Sequence, residues 1–304
     1  MKKILCYKNS KLGDYLITLP SIRLIKKNNN YKIYYLTVTN KFYRNLPKTL
    51  EKTKVVDEFI YFNNNFVDKL RLFFFLRKKK FDEFYYLQEK SNLFREIRDY
   101  IFFNLLKIKK INGFFLKQDN YLKNSETIQI AKRINKNITN RDIDKLGNIE
   151  KLINKPIHNQ EYITISIGGF SQPVLWNLNN WSILIKLILN RFNYKIIIIG
   201  TKYDEKKANF ISRLNNKKII NLCDKTNIKD LINIIKFSKY HITNDNGSMH
   251  IATLFNKKTI CLFNNHDPIG KWYPVNKNAI ILRPKKGINS INSYKVFNRL
   301  IQSI

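Results

Sequence analysis

The sequence predicts an α/β fold made of two successive, Rossmann-like doubly wound halves. Short apolar runs of strand length alternate with helix-length segments along most of the 304 residues. Some runs, such as Tyr194–Ile199, are continuously apolar, as in parallel strands covered on both faces. The alternation stops over residues 118–155, which are polar, and then restarts. We therefore predict domains 1–155 and 156–304 facing each other across a cleft, with the terminal helix free to pack back on the first domain.

The first half begins with a strand at Ile4–Tyr7, a polar loop that ends in Gly13-Asp14, and a helix over 15–27. A strand at 31–38 completes a β-loop-α-β unit, which implies parallel strands and a right-handed crossover. The remaining elements predicted in this half are strands at 55–61, 81–87 and 108–114 and helices at 67–79, 91–106 and 125–135.

The second half restarts with a strand at 162–167, which is followed by Gly168-Gly169. Ligands of open parallel sheets bind beyond the carboxyl ends of the strands, so the loops at those ends are the candidate sites. The other elements predicted here are strands at 194–199, 219–222, 240–243 and 259–263 and helices at 180–193, 203–215, 228–238, 249–255 and 294–301.

The most informative stretch is the turn Asn244–Ser248 between a strand and a short apolar helix. A strand that ends in small polar residues and opens a helix presents free backbone N–H groups and the positive end of a helix dipole. Such a point attracts a phosphate. Our hypothesis is that the diphosphate of an activated sugar lies here. The alternative is an ordinary turn whose Asn and Ser only cap the helix.

The formal net charge of +34 has two interpretations. A basic face docks on an anionic membrane or phosphorylated glycan, or the charge reflects a Lys- and Asn-rich composition. The lysines are dispersed and no nucleic-acid-binding motif is present, so specific binding to nucleic acid is not predicted. Apolar runs are too short to span a membrane, and the N-terminus lacks the features of a signal peptide. We therefore expect a cytoplasmic protein that is attracted to anionic membrane surfaces.

Several common chemistries lack their residues. The sequence has no P-loop, no dinucleotide fingerprint after the first strand and no nucleophile elbow. Its four histidines show no metal-binding spacing, and its three cysteines lie far apart in apolar segments, as buried thiols do. The sequence therefore indicates no metal.

The segment Ser10–Asp14 followed by Thr18-Leu19-Pro20 resembles the N-terminal signature of family-nine glycosyltransferases, the ADP-heptose:lipopolysaccharide heptosyltransferases. Residues 244–252 resemble the donor-binding signature of that family. The pairs and triplets Leu262-Phe263, His266-Asp267-Pro268 and Trp272-Tyr273-Pro274 also match in the expected order. The resemblance covers nearly the whole chain.

The resemblance implies the GT-B architecture, with an N-terminal acceptor domain and a C-terminal nucleotide-sugar domain. It also implies an inverting reaction that uses neither metal nor cofactor. The expected donor is a nucleotide-sugar, ADP-heptose or a related sugar. The expected acceptor is lipopolysaccharide or another lipid-linked glycan at the inner face of the cytoplasmic membrane.

The resemblance assigns the candidate site residues. Asp14 matches the proposed general base, although a helix cap is an equally natural role for it. Lys11 and Gly13 fall on the acceptor side. Asp204 or Glu205 matches the acid that contacts the nucleoside, unless it is a solvated charge at a helix start. The predicted donor-binding set is Gly168, Asp204, Glu205, Asn246, Gly247, Ser248, Met249 and His250, of which His250 is alternatively a packed helix histidine.

Two positions depart from the family pattern. Val174 stands two residues before Trp176, where a Lys usually faces the donor phosphate, and Asn246 replaces the usual Thr or Ser. Lys8, Lys11 and Lys202 are candidate replacement cations. A different nucleotide-sugar, weak activity or a rearranged phosphate site would each fit these departures. The alternative function is therefore a degenerate relative that binds a nucleotide-sugar or glycan without transferring it.

Overall fold

A computed structural model describes residues 1–27, 30–38, 55–90, 92–117, 120–147, 160–169, 175–215 and 217–303. The chain divides into two compact units, Met1–Gly147 and Asn148–Ile304. The predicted boundary between Lys155 and Pro156 lies outside the described residues. Within the described ranges, no helix has both the length and the apolar character needed to cross a membrane.

The first unit is built on a five-stranded parallel sheet in the order β3-β2-β1-β4-β5. Its central strand has four consecutive buried residues, Ile4 to Tyr7, because helices cover both faces of the sheet. The strands are β1 (Lys2–Tyr7), β2 (Tyr31–Val38), β3 (Glu58–Phe62), β4 (Glu83–Tyr86) and β5 (Lys110–Asn112).

The helices of this unit lie on opposite faces of the sheet. They are α1 (Leu12–Lys26), α2 (Phe66–Lys79), α3 (Leu93–Leu105), α4 (Glu126–Lys132) and α5 (Asn140–Gly147). Neighbouring side chains of β2 show the division: Tyr35 contacts Tyr15 of α1, whereas Tyr34 belongs to the core formed with α2 and α3. Helix α1 also packs against α4 and α5.

The second unit has a six-stranded parallel sheet in the order β11-β10-β9-β6-β7-β8. Its strands are β6 (Tyr162–Ser166), β7 (Lys195–Ile199), β8 (Ile219–Asn221), β9 (His241–Asn244), β10 (Thr259–Leu262) and β11 (Ala279–Leu282). Its helices are α6 (Leu178–Arg191), α7 (Glu205–Ser212), α8 (Ile228–Phe237), α9 (Gly247–Leu254) and α10 (Ser293–Gln302). The terminal helix α10 packs against α6 within this unit. The predicted α/β class with two doubly wound parallel sheets is confirmed.

Two predicted helix starts are corrected, and two elements are added. Helix α1 begins at Leu12, so Gly13 and Asp14 lie in its first turn and not in a loop. Helix α9 begins at Gly247, two residues earlier than predicted, because Asn246 caps it. Helix α5 and strand β11 were not predicted, since a polar eight-residue helix and a four-residue edge strand each give a weak periodic signal.

The three cysteines, Cys6, Cys223 and Cys261, are buried free thiols. Burial raises the pKa of each thiol, that of Cys223 to about 12. They behave as small apolar core residues, as their sequence context indicated.

Candidate functional site

The crevice of the second sheet lies between β6 and β9. The connection after β6 leads toward β7, whereas the connection after β9 leads the other way, toward β10. This divergence opens a ligand-binding crevice beyond the carboxyl ends of the two strands. Ser166 at the end of β6 is in register with Thr243 near the end of β9. The loop that follows Ser166 and the turn that follows Asn244 are therefore neighbours.

Asn246 ties these two segments together. Its side-chain oxygen accepts a hydrogen bond from the Ser248 N–H at 2.9 Å, which makes it the N-cap of α9. Its amide nitrogen donates to the Gly168 carbonyl at 2.8 Å and to Ser166 Oγ at 3.0 Å. The helix-capping alternative is thus observed, and the same side chain also fixes the loop after β6.

A series of buried hydrogen bonds runs from Asn246 through Ser248 and His241 to Thr164. Ser248 Oγ donates to Asn246 Oδ1 at 2.6 Å, and His241 Nε2 lies 2.9 Å from Ser248 Oγ. Because the Ser248 proton is used on Asn246, Nε2 of His241 carries the proton that completes the chain. His241 Nδ1 lies 3.0 Å from Thr164 Oγ1. The Ser248 hydroxyl therefore points into the protein, so it holds the turn in place.

The acid predicted to contact the nucleoside has a structural role. The carboxylate of Asp204 is buried and accepts from the Thr201 N–H at 2.8 Å and the Thr201 hydroxyl at 2.9 Å. It also packs directly on Gly168, where a Cβ atom would lie 2.3 Å from Asp204 Oδ2. Only glycine fits there. Glu205, at the start of α7, is half-buried and stays the candidate for a ribose contact.

The other residues of the predicted donor set belong to the first turns of α9. No hydrogen bond joins the Gly247 N–H to another described residue, so this N–H and the helix dipole are what the turn offers an anion. Met249 packs in the core against Cys261 and Phe263. His250 is buried, and burial lowers its pKa to about 4, so its ring is neutral at pH 7.

A pocket opens beside the turn. Burial, together with the charge of Asp267, raises the pKa of the Asp245 carboxyl to about 7. Arg283 is the cation of this pocket, and its Nε donates to the Asn264 carbonyl at 2.8 Å. The pocket is lined by Asp245, Phe263, Asn264, Asp267, Pro268, Trp272, Tyr273 and Arg283. Most of these residues belong to segments that carried the family resemblance.

The first unit carries the other predicted residues. Asp14 is half-buried at the third position of α1, and one of its oxygens accepts from the Lys11 N–H at 3.0 Å. Lys11 is the N-cap residue and Gly13 follows in the first turn. Nearby Lys8 is buried, and its ammonium has no hydrogen-bond partner in the part of the chain that the structure describes. Burial lowers the pKa of Lys8, while the charge of Asp14 opposes that shift.

The structure adds residues that the sequence did not single out. His241 is buried and supports the predicted turn through Ser248, and half-buried Asp245 lies in that turn and lines the pocket. Arg283 belongs to no sequence motif. It directly follows β11 and lines the pocket from there. Val174, the position of the missing lysine, lies outside the described residues. Across the described ranges, no group of three or more His, Cys, Asp or Glu side chains is arranged to hold a metal ion.

Comparison with known proteins decides the family. The model of glycosyltransferase family 9 (heptosyltransferase) matches residues 114–295, more than half of the chain. The chain belongs to glycosyltransferase family 9. The family-9 membership predicted from the sequence is therefore confirmed.

Individual relatives of this family-9 chain agree with that assignment. A lipooligosaccharide heptosyltransferase 2 from Campylobacter jejuni is 40% identical over 75 residues, which are 23% of this chain and 24% of the relative. The match thus spans about a quarter of that relative's length.

Solved structures extend the similarity to the whole fold. E. coli ADP-heptose lps heptosyltransferase II has a TM-score of 0.72 and 19% identity, covering 100% of this chain and 98% of its own. E. coli heptosyltransferase WaaC with ADP has a TM-score of 0.75 and 14% identity, covering 99% and 100%. The predicted GT-B class of this family-9 chain is confirmed.

Replacing His250 is expected to flatten the pH dependence of stability of this family-9 protein. In the unfolded chain a histidine gains its proton near its ordinary pKa of 6.5, whereas folded His250 stays neutral down to about 4. The unfolded state therefore binds more protons between those values, and stability falls as the pH drops. Urea unfolding at about pH 7 and pH 5 should show His250→Gln losing ~2 kcal/mol less than the wild type. Equal losses of unfolding free energy in the wild type and in His250→Gln would contradict the lowered pKa of folded His250.

Proposed function

We propose that this chain transfers a heptose, or a closely related sugar, from an ADP-linked donor to a lipopolysaccharide or lipooligosaccharide acceptor. The main support is the family match, which spans the turn at Asn246 and the pocket next to it. Two similar structures are those of E. coli heptosyltransferase WaaC with ADP and with ADP-2-deoxy-2-fluoro heptose. The Campylobacter relative is named for lipooligosaccharide.

The proposed chemistry is a single displacement at the anomeric carbon. The acceptor hydroxyl oxygen bonds to that carbon while the bond from the carbon to the diphosphate breaks, which inverts the configuration. Asp14 takes the proton of the hydroxyl, a step for which a half-buried carboxylate is suited. No metal ion is needed in this scheme.

The donor side of the scheme relies on the turn that Asn246 holds. ADP leaves with the bonding electron pair, so negative charge grows on its terminal phosphate. The Gly247 N–H and the dipole of α9 stabilise that charge more in the transition state than in the ground state. The rigid hydrogen-bonded support through Ser248 and His241 keeps these groups preorganised. We place this reaction at the inner face of the cytoplasmic membrane, where a lipid-linked acceptor would be anchored.

A second candidate function is binding without transfer. Val174 in place of the usual lysine favours it, because a lost cation leaves less charge to neutralise the departing diphosphate. Where the bound ligand is the nucleotide-sugar, both functions require the donor site and differ only in turnover.

A donor panel tests the proposal. Titration calorimetry of the full chain with ADP-heptose, a GDP-sugar and a UDP-sugar is expected to show binding of the ADP-sugar alone. Incubation with ADP-heptose and heptose-deficient lipopolysaccharide should then give a product one heptose heavier by mass spectrometry. Binding of only a GDP- or UDP-sugar would exclude the donor, and ADP-heptose binding without product over a broad acceptor panel would favour the second candidate.

A further inference from the structure

Helix α3 is oriented with its acids inward and its apolar residues outward. Glu96, Asp99 and Phe103 are buried. Helical periodicity places Phe94 and Ile101 on the opposite side, where they are 81% and 53% exposed. A helix that only covers a sheet is expected to show the reverse arrangement.

The buried acids of α3 have defined partners. Asp99 accepts from the Tyr86 hydroxyl at 3.0 Å and pairs with Arg98, and Glu96 accepts from the Phe115 N–H. These contacts fix the rotation of the helix about its axis. The exposed apolar residues are therefore a settled feature of the fold.

The neighbouring helix α2 exposes a similar face. Leu72 and Leu76 are buried in the core, and the side opposite to them carries Val67, Leu70 and Phe74. Phe74 is 63% exposed. Single exposed apolar residues are ordinary, but several on one face of a helix are not.

The two exposed faces are adjacent. Phe73 of α2 and Phe102 of α3 touch edge to face with their ring centroids 5.8 Å apart. Leu72 and Phe103 belong to one core cluster, so both helices cover the same face of the sheet. We call their combined outer surface the aromatic–basic face. Its apolar members are Phe66, Val67, Leu70, Phe74, Phe94, Ile97, Ile101 and Leu105.

Positive charge is interleaved with these apolar side chains. Arg71, Arg77 and Lys78 of α2 and Arg98 of α3 are exposed. The acids on α3 are buried. The one acid of α2, Asp68, lies at the helix start, where it contacts Asn63, Asn65 and Arg71. The aromatic–basic face is thus apolar and cationic.

We propose that the aromatic–basic face is the surface by which this chain binds an anionic lipid bilayer. Helices that lie in the plane of a membrane interface typically carry Lys and Arg beside Phe, Leu and Ile. The charges attract anionic headgroups, while the apolar side chains enter the headgroup–acyl boundary. The net charge of +34 acts in the same direction. Only the choice of the cytoplasmic membrane as the target rests on the proposed function.

Vesicle sedimentation of the full chain tests this surface. The wild type is expected to sediment with phosphatidylglycerol-containing vesicles and weakly with pure phosphatidylcholine vesicles. The variant Phe74→Ser/Phe94→Ser/Ile101→Ser keeps every charge but should lower the bound fraction on the anionic vesicles at least ~10-fold. The variant Arg71→Gln/Arg77→Gln/Lys78→Gln should show a weaker preference for anionic lipid than the wild type.

A matched control removes apolar residues that are exposed elsewhere. This control variant, Phe210→Ser/Tyr294→Ser/Ile301→Ser, changes exposed residues on helices of the second unit. It should bind vesicles like the wild type. Equal binding by the Phe74/Phe94/Ile101 variant and the wild type would overturn the proposal, because the net charge alone would then account for attachment. A wild-type dimer that this variant converts to monomer would also overturn it in favour of a second copy of the chain. Titration of the same proteins with ADP-heptose reports on the proposed function separately.

Discussion

Asp14→Asn is expected to lower the rate of sugar transfer by about 10²- to 10⁴-fold, the range typical for loss of a general base. The amide has nearly the shape of the carboxylate but cannot accept the proton of the acceptor hydroxyl. Its oxygen can still accept from the Lys11 N–H, as Asp14 does at 3.0 Å, so the first turn of α1 should persist. Initial-rate assays with saturating donor measure the loss, and calorimetry should show unchanged affinity for ADP-heptose.

Asp142→Asn is the matched control for Asp14→Asn. Asp142 occupies the same third position of its helix, α5, and accepts from the Thr139 N–H at 3.0 Å. It therefore shares the capping contact of Asp14 without the proposed chemistry, and its replacement should leave the transfer rate near the wild-type value. A transfer rate in Asp14→Asn equal to that of Asp142→Asn would show that Asp14 is only a cap.

Asn246→Ala is expected to weaken ADP-heptose binding at least ~10-fold and to lower the free energy of unfolding by about 1–3 kcal/mol. The substitution removes the cap of α9 and leaves the Gly168 carbonyl and Ser166 hydroxyl without the amide that they accept from. The loop after β6 is then held by fewer hydrogen bonds, those that Asn244 Nδ2 donates to the Ile167 and Gly168 carbonyls. Calorimetric titration and urea unfolding measure the two effects.

Asn227→Ala separates the two consequences of losing an Asn cap. Asn227 caps α8 by accepting from the Asp230 N–H at 3.0 Å, and it lies outside the proposed donor site. Its replacement should cost a comparable part of the stability, about 1 kcal/mol, with donor affinity unchanged. If Asn246→Ala lost stability but bound ADP-heptose like Asn227→Ala, the turn would be structural and not a donor site.

The sequence predicts the fold well where periodicity is strong. The apolar run Tyr194–Ile199 and the alternation around it indicate buried parallel strands, and β7 is such a strand. It predicts less well where a side chain decides a boundary. Asp14 and Asn246 form side-chain hydrogen bonds at the starts of α1 and α9, and both helices begin earlier in the chain than predicted. The sequence pattern does not show how those side chains are oriented.

The sequence indicates where along the chain the candidate site residues lie, but not how their side chains are oriented. The sequence indicates that the turn after β9 matters, and the structure places it at the crevice. Whether Asp204 faces a ligand or Thr201 depends on two glycines that pack against its side chain, Gly168, which is distant in sequence, and Gly200, which is four residues away. The outward orientation of the apolar residues of α3 was not predicted, because periodicity identifies an apolar face without saying what covers it.

The buried thiols have a practical consequence. Cys6, Cys223 and Cys261 are the cysteines of the chain, and burial holds each of them in the unreactive thiol form. The folded wild-type protein should therefore react very little with maleimide dyes. A Leu70→Cys substitution on α2 would then carry the single site that takes a polarity-sensitive fluorophore, whose emission colour would report whether that helix leaves water.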